Sequence, residues 1–149
     1  MITNFFVVIR ILMGFALTLV GFQKLIEPYQ NFLYAVQSYE LFGPSLEQVI
    51  ARVMPWCEVF LGVFLVLGLW LNWILRAYVV LFATFVIVVS QAMLRGLPIE
   101  NCGCFGESLS FSLPTMLIAD CLLLVVAVIL LYRIHQTRVY SLDKYFLEK

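Results

Sequence analysis

Most of this chain is apolar, and the segment that breaks the pattern reads Asn101-Cys102-Gly103-Cys104-Phe105-Gly106. With one residue between them, Cys102 and Cys104 can close a small ring as a disulfide, and Gly103, lacking a Cβ, can take the backbone angles that such a ring demands. A tight ring is strained. Strained or exposed disulfides lie at the easily reduced end of the scale, where exchangeable pairs are found. The first reading is therefore a redox pair. A loop staple, a soft-metal thiolate site and two cysteines without a role stay open beside it, because the spacing is not the Cys-x-x-Cys of thioredoxin-like proteins or zinc ribbons.

A second set of reactive groups lies within apolar runs. Glu58 follows Pro55-Trp56-Cys57, Gln91 stands four residues before Arg95, and Asp120 precedes Cys121. Carboxyls in hydrocarbon are expensive, are partnered or water-lined, and are by default suspected of function. The structural alternative for Glu58 and Asp120 is a neutral hydrogen bond between helices. Cys57 reads more readily as a small apolar residue than as a redox group. His135 stands alone near the carboxy-terminal end, with no second histidine to give a metal-ligand pattern.

The elements that position these groups follow from composition. Of 149 residues, 64% are hydrophobic and 12% charged, and the mean hydropathy is +1.03. Crossing a bilayer takes about 20 apolar residues. Four such runs predict an all-α membrane protein, a four-helix bundle with helices at about 5–25, 46–71, 73–95 and 113–133, forming a single domain over 1–149. A cysteine loop spans 96–112 and a polar tail 134–149. Thr3 and Asn4, Ser45 with Gln48, and Ser112 are the expected helix caps. Tyr29, Phe32, Leu33, Val36 and Tyr39 recur at helical spacing, which predicts an amphipathic helix in the membrane interface between the first two spans.

Arg10, Gly14, Thr18 and Gly21 fall on one face of the first span, where small residues admit a neighbouring backbone. Arg10 on that face points into the bundle or snorkels to the headgroups, and Lys24 is expected at the interface. Lysine and arginine are concentrated at the end carrying the termini, so both termini are expected in the cytoplasm and the cysteine loop outside it, where disulfides persist. Lys24, Cys57, Glu58, Gln91, Asp120 and Cys121 then share the outer half of the membrane. Formal net charge is zero and no basic block suggests a nucleic acid.

Arg10 with Gly14, Gly21 and Lys24, Pro55-Trp56 followed by Glu58, and above all Cys102-Gly103-Cys104-Phe105-Gly106 resemble the DoxX-like membrane proteins and, within them, the MauE (methylamine utilisation) branch. The resemblance covers most of the chain. Two positions depart from it: Asn101 stands where Asp is common before the first cysteine, and Ala119 where Arg is often found.

The resemblance implies a bacterial inner-membrane bundle engaged in thiol and disulfide chemistry. Cys102 and Cys104 would cycle between dithiol and disulfide, exchanging with a periplasmic thioredoxin-like or disulfide-bearing partner. A membrane quinone would be held near Trp56, Glu58, Gln91 and Asp120, and a homo-oligomer or hetero-oligomer is open. Two other functions fit the same residues. One is a soft-metal (Cu-type) binding or transport protein using Cys57 and Cys121 as a second stop, and the other is a non-catalytic membrane subunit.

Overall fold

A computed structural model describes residues 2–97, 112–137 and 141, with side chains from residue 5 onward. All the regular structure among these residues is helical: α1 (Ile2–Ile26), α2 (Tyr29–Ser38), α3 (Pro44–Leu67), α4 (Leu71–Leu94), α5 (Leu113–Tyr132) and the single turn α6 (Ile134–Thr137). Four of them, α1, α3, α4 and α5, are long and apolar enough to cross a membrane. The protein is a multi-pass membrane protein with the expected four-helix architecture. The short amphipathic helix α2 lies between the first two spans and buries no residue of its own.

The bundle is built from two helix pairs, α1 against α3 and α4 against α5, with slighter contact between the pairs. Small residues explain the first pair. A Cβ on Gly14 would come within 2.7 Å of the Gly62 carbonyl oxygen, and one on Gly62 within 2.6 Å of the Gly14 carbonyl, so the two backbones touch where neither residue has a side chain. The second pair meets through larger groups. Leu71, Leu75, Tyr78 and Phe82 of α4 join Ala127 and Leu130 of α5 in a core that Met13, Leu17 and Leu65 complete from the first pair.

Helix ends differ in detail from the sequence expectation. The first turn of α1 already contains Thr3 and Asn4. Helix α3 starts at Pro44, with Gly43 as its cap and Ser45 inside the first turn, so no Ser45-Gln48 capping box forms. Proline at the first helical position gives up only an N–H that the helix would leave unpaired. The helix stops at Gly68, whose φ of +69° suits a residue without a Cβ. The N–H groups of Gly68 and Leu69 both reach the Phe64 carbonyl, at 2.8 and 3.1 Å. The turn into α4 is therefore 68–70, and Leu71 and Asn72, expected at the junction of the helices 46–71 and 73–95, open the next helix. Ser112 does precede α5, and its hydroxyl lies 2.9 Å from that of Thr115.

At one end of the bundle the chain comes back on itself. Arg10, 1% exposed, donates from Nη1 to the Thr137 carbonyl at 2.9 Å and from Nη2 to the Val66 carbonyl at 3.5 Å. The latter carbonyl belongs to the last turn of α3, where helices leave acceptors unpaired and the dipole favours a cation. Thr137 in turn donates its hydroxyl to the carbonyls of Leu130 and Arg133, at 3.2 and 3.0 Å. Arg10 thus points inward, and Thr137 and Ser141 of the expected polar tail are buried, while His135 is exposed as expected.

Candidate functional site

At the other end of α1, Lys24 is 5% exposed and Glu58 is fully buried. Lys24 Nζ donates to Oε1 of Glu58 at 2.7 Å and to Oε2 at 2.9 Å. Gly21 makes the approach possible, since a Cβ there would stand 2.9 Å from that of Glu58 and from the Pro55 carbonyl oxygen. The ammonium also sits over the Phe32 ring, 4.7 Å from its centroid, and 6.0 Å from the centroid of Phe85. An ion pair in hydrocarbon has to be close and well hydrogen-bonded to offset lost hydration, and the aromatic faces add to its support.

The pair stands between two openings. Lys24 forms part of the wall of an apolar cavity of about 240 Å³, whose other walls include Phe32 and Val36 of α2, Tyr39, Ile50 of α3 and Phe85 of α4. Glu58 lines a crevice of about 40 Å³ with Ala16, Val20, Tyr78 and Asp120, and Phe85 borders both spaces. Asp120 is 3% exposed, and its Oδ2 has no hydrogen-bond partner among the described residues. The Tyr78 hydroxyl donates to the Met13 carbonyl at 3.2 Å. At the edge of the larger cavity, burial pushes the phenol of Tyr39 up to about 12, and the charge of Asp120 adds to the effect.

Gly21 lies five residues from the end of α1 and Asp120 seven residues beyond the start of α5, about 8 and 10 Å along helices that rise 1.5 Å per residue. Glu58 and Asp120 therefore meet at one depth, as the sequence suggested. Trp56 and Gln91 do not join them. Two residues along a helix turn the side chain by about 200°, so with Glu58 inward Trp56 points away; it is 54% exposed and stacks on Phe60 at 6.2 Å. The same reasoning puts Gln91 outside, because Val89 and Ala92 take the buried positions. Cys57 and Cys121 are free and exposed on outward faces. They are not a shared inner stop for a metal, and no group of three metal-ligating side chains occurs among the described residues.

Cys102 and Cys104 lie outside the described residues. The helices they connect, α4 and α5, end and begin close to Tyr39, since Val89 and Ala92 of one and Leu113 and Met116 of the other pack with that tyrosine. The end of α4 and the start of α5, which flank residues 98–111, therefore lie at the Lys24 end of the bundle and not at the Arg10 end.

Lys24 is the residue whose place the sequence reading missed. Gly21 and Lys24 repeat the three-residue step of Pro55 and Glu58 on the facing helix, and that matched spacing was the available signal. Phe32, Tyr39, Tyr78 and Phe85 gave no such sign, because aromatics at helical spacing are ordinary core residues.

The family of the methylamine utilisation protein MauE matches residues 2–133 of the chain, a range that includes both charged ends of the bundle and the cysteine segment. The chain belongs to the MauE family. Comparison with curated proteins and with solved structures found no match. In this MauE-family chain the matched range ends just beyond α5, before Thr137, which holds Arg10.

Proposed function

We propose that this protein is a membrane thiol-disulfide redox protein of the DoxX-like kind. It would pass electrons between thiols or disulfides outside the cytoplasm and a quinone in the bilayer, through Cys102 and Cys104. The observation that carries the reading is the Lys24-Glu58 pair, buried on the wall of an aromatic-lined cavity at the end of the bundle where α4 ends and α5 begins. The residues of that cavity fit a quinone ring. Pockets enclosing a drug-sized ligand run to roughly 300–1,000 Å³, so a space of about 240 Å³ suits one substituted ring. Phe32 and Phe85 provide faces for it.

Oxidation of the Cys102-Cys104 dithiol to a disulfide releases two electrons and two protons, and a quinone supplies an acceptor for both that stays dissolved in lipid. The chain's own groups bind and orient. An ammonium has three N–H donors, of which Glu58 takes two, leaving one to fix a carbonyl-bearing ring. Glu58 holds Lys24 in place and can accept or return a proton as electrons move. The apolar walls exclude bulk water. Both termini are assigned to the cytoplasm of a bacterial cell and the cysteine segment to the periplasm, where a thioredoxin-like or disulfide-bearing protein would meet it.

The test uses purified full-length protein in lipid nanodiscs, with the Cys102-Cys104 thiol state followed after addition of a short-chain quinone. We expect the reduced pair to be oxidised with one quinol formed per disulfide. Ala35→Phe, which fills the cavity from α2, should slow this at least tenfold, and Trp56→Ala should leave it unchanged. A pair that exchanges with small thiols but never equilibrates with quinone would overturn the reading.

A further inference from the structure

The crevice on the far side of the ion pair has a separate chemistry. It is bounded by Ala16 and Val20 of α1, Glu58 of α3, Tyr78 and Phe85 of α4 and Asp120 of α5. Its size, about 40 Å³, exceeds the roughly 10–15 Å³ needed to admit one water. The polar side chains on it are Tyr78, committed to the Met13 carbonyl, and two carboxyls, one of which has a buried oxygen with no hydrogen-bond partner among the described residues. A buried acceptor left bare costs free energy that a water or a proton removes.

Charge points the same way. The groups facing Asp120 from each element are Lys24 of α1, Tyr39 between α2 and α3, Glu58 of α3 and Tyr78 of α4, so one cation stands against two carboxyls. With both carboxyls ionised, an excess negative charge would sit in a low-dielectric setting with no second cation facing it among the described residues. One proton restores neutrality.

We propose that the crevice holds water bridging Glu58 and Asp120, and that the two carboxyls carry one exchangeable proton between them. The site is a proton-binding site set into the bundle, on the opposite side of Lys24-Glu58 from the apolar cavity. It stands on the crevice and the charge count, whatever occupies the larger space. The proton moves between carboxyl oxygens through water, with no bond to carbon or sulfur made or broken.

Infrared spectroscopy of the full-length protein at neutral pH, in a detergent free of carbonyl groups, tests this directly. The wild type should show a protonated carboxyl stretch that shifts within minutes of transfer to heavy water. Because a single carboxyl neutralises Lys24 without a proton, Asp120→Asn and Glu58→Gln should each abolish that band. A band that survives in Glu58→Gln would mark Asp120 as an independent neutral hydrogen bonder and overturn the shared proton. A band that does not exchange would overturn the water. Ala16→Val keeps both carboxyls while narrowing the crevice, so it serves if either polar variant fails to fold; it should slow exchange about tenfold, and unaltered exchange would also overturn the water.

Discussion

Helix α1 carries two buried cations, Arg10 and Lys24, and the bundle treats them in opposite ways. Arg10 is held by the carbonyls of Val66 and Thr137, at the C-terminal end of α3 and in the segment after α5. Those acceptors are backbone dipoles, and a guanidinium stays charged at any ordinary pH. Lys24, fourteen residues along and so about 21 Å away, faces a carboxylate with cavities on either side. A cation fixed by peptide carbonyls cannot change the charge of its partner. One fixed by a carboxylate can, because Glu58 can gain or lose a proton. In these described contacts the Arg10 end holds, and the Lys24 end is one that can respond.

The largest effect should come from breaking the Lys24-Glu58 pair on one side only. Glu58→Leu leaves an ammonium buried without its counter-ion, and removing one partner of such a pair costs about 3–5 kcal/mol. The double variant Lys24→Met with Glu58→Leu removes both charges and should regain most of the thermal stability measured in micelles. It should not regain equilibration of the cysteine pair with quinone. A double variant as unstable as the single one would show that the pair acts as a staple, like Arg10, and the contrast between the ends would fail.

Arg10→Met comes next. It strips donors from two buried carbonyls, each loss worth about 1–3 kcal/mol when an acceptor is left bare. Arg10→Lys should recover only part, since a compact ammonium cannot reach two divergent acceptors as a planar fork does. Both should lower the unfolding temperature while the rate of quinone equilibration in folded protein stays at the wild-type value. A slowed rate at unchanged stability would give Arg10 a place in the chemistry.

Much of this was legible in the sequence. The four spans follow from apolar run length, and the α1-α3 contact follows from glycines and a threonine on one helical face, which is a local property. Glu58 and Asp120 were visible because carboxyls stand out in hydrocarbon. The pairing with Lys24 was hidden for a physical reason. A lysine two residues from the end of an apolar helix also satisfies itself by reaching the headgroups, and only the packing of Gly21 on Glu58 decides between the two. Trp56 shows the opposite failure. It lies two residues from Glu58 in sequence, and helical rotation carries it to the outer surface. Burial of Thr137 on Arg10 depends on how the turn after α5 meets α1 and the end of α3, which no local pattern encodes.

The smallest effect concerns Tyr39, which belongs to the responsive end. Burial raises its phenol from 10 to about 12, with Asp120 contributing less. For a group whose folded value is raised, the stabilising contribution is complete below pH 10 and is lost as pH rises through about 12. Unfolding followed across that interval should therefore fall more steeply in the wild type than in Tyr39→Phe, and the two should run parallel below it. Asp120→Asn should shift the interval only slightly, because burial is the larger cause. If Tyr39→Phe and wild type fall together across the whole interval, the phenol titrates in the folded protein as freely as in the unfolded chain, and the Lys24 end is more open to water than its geometry implies.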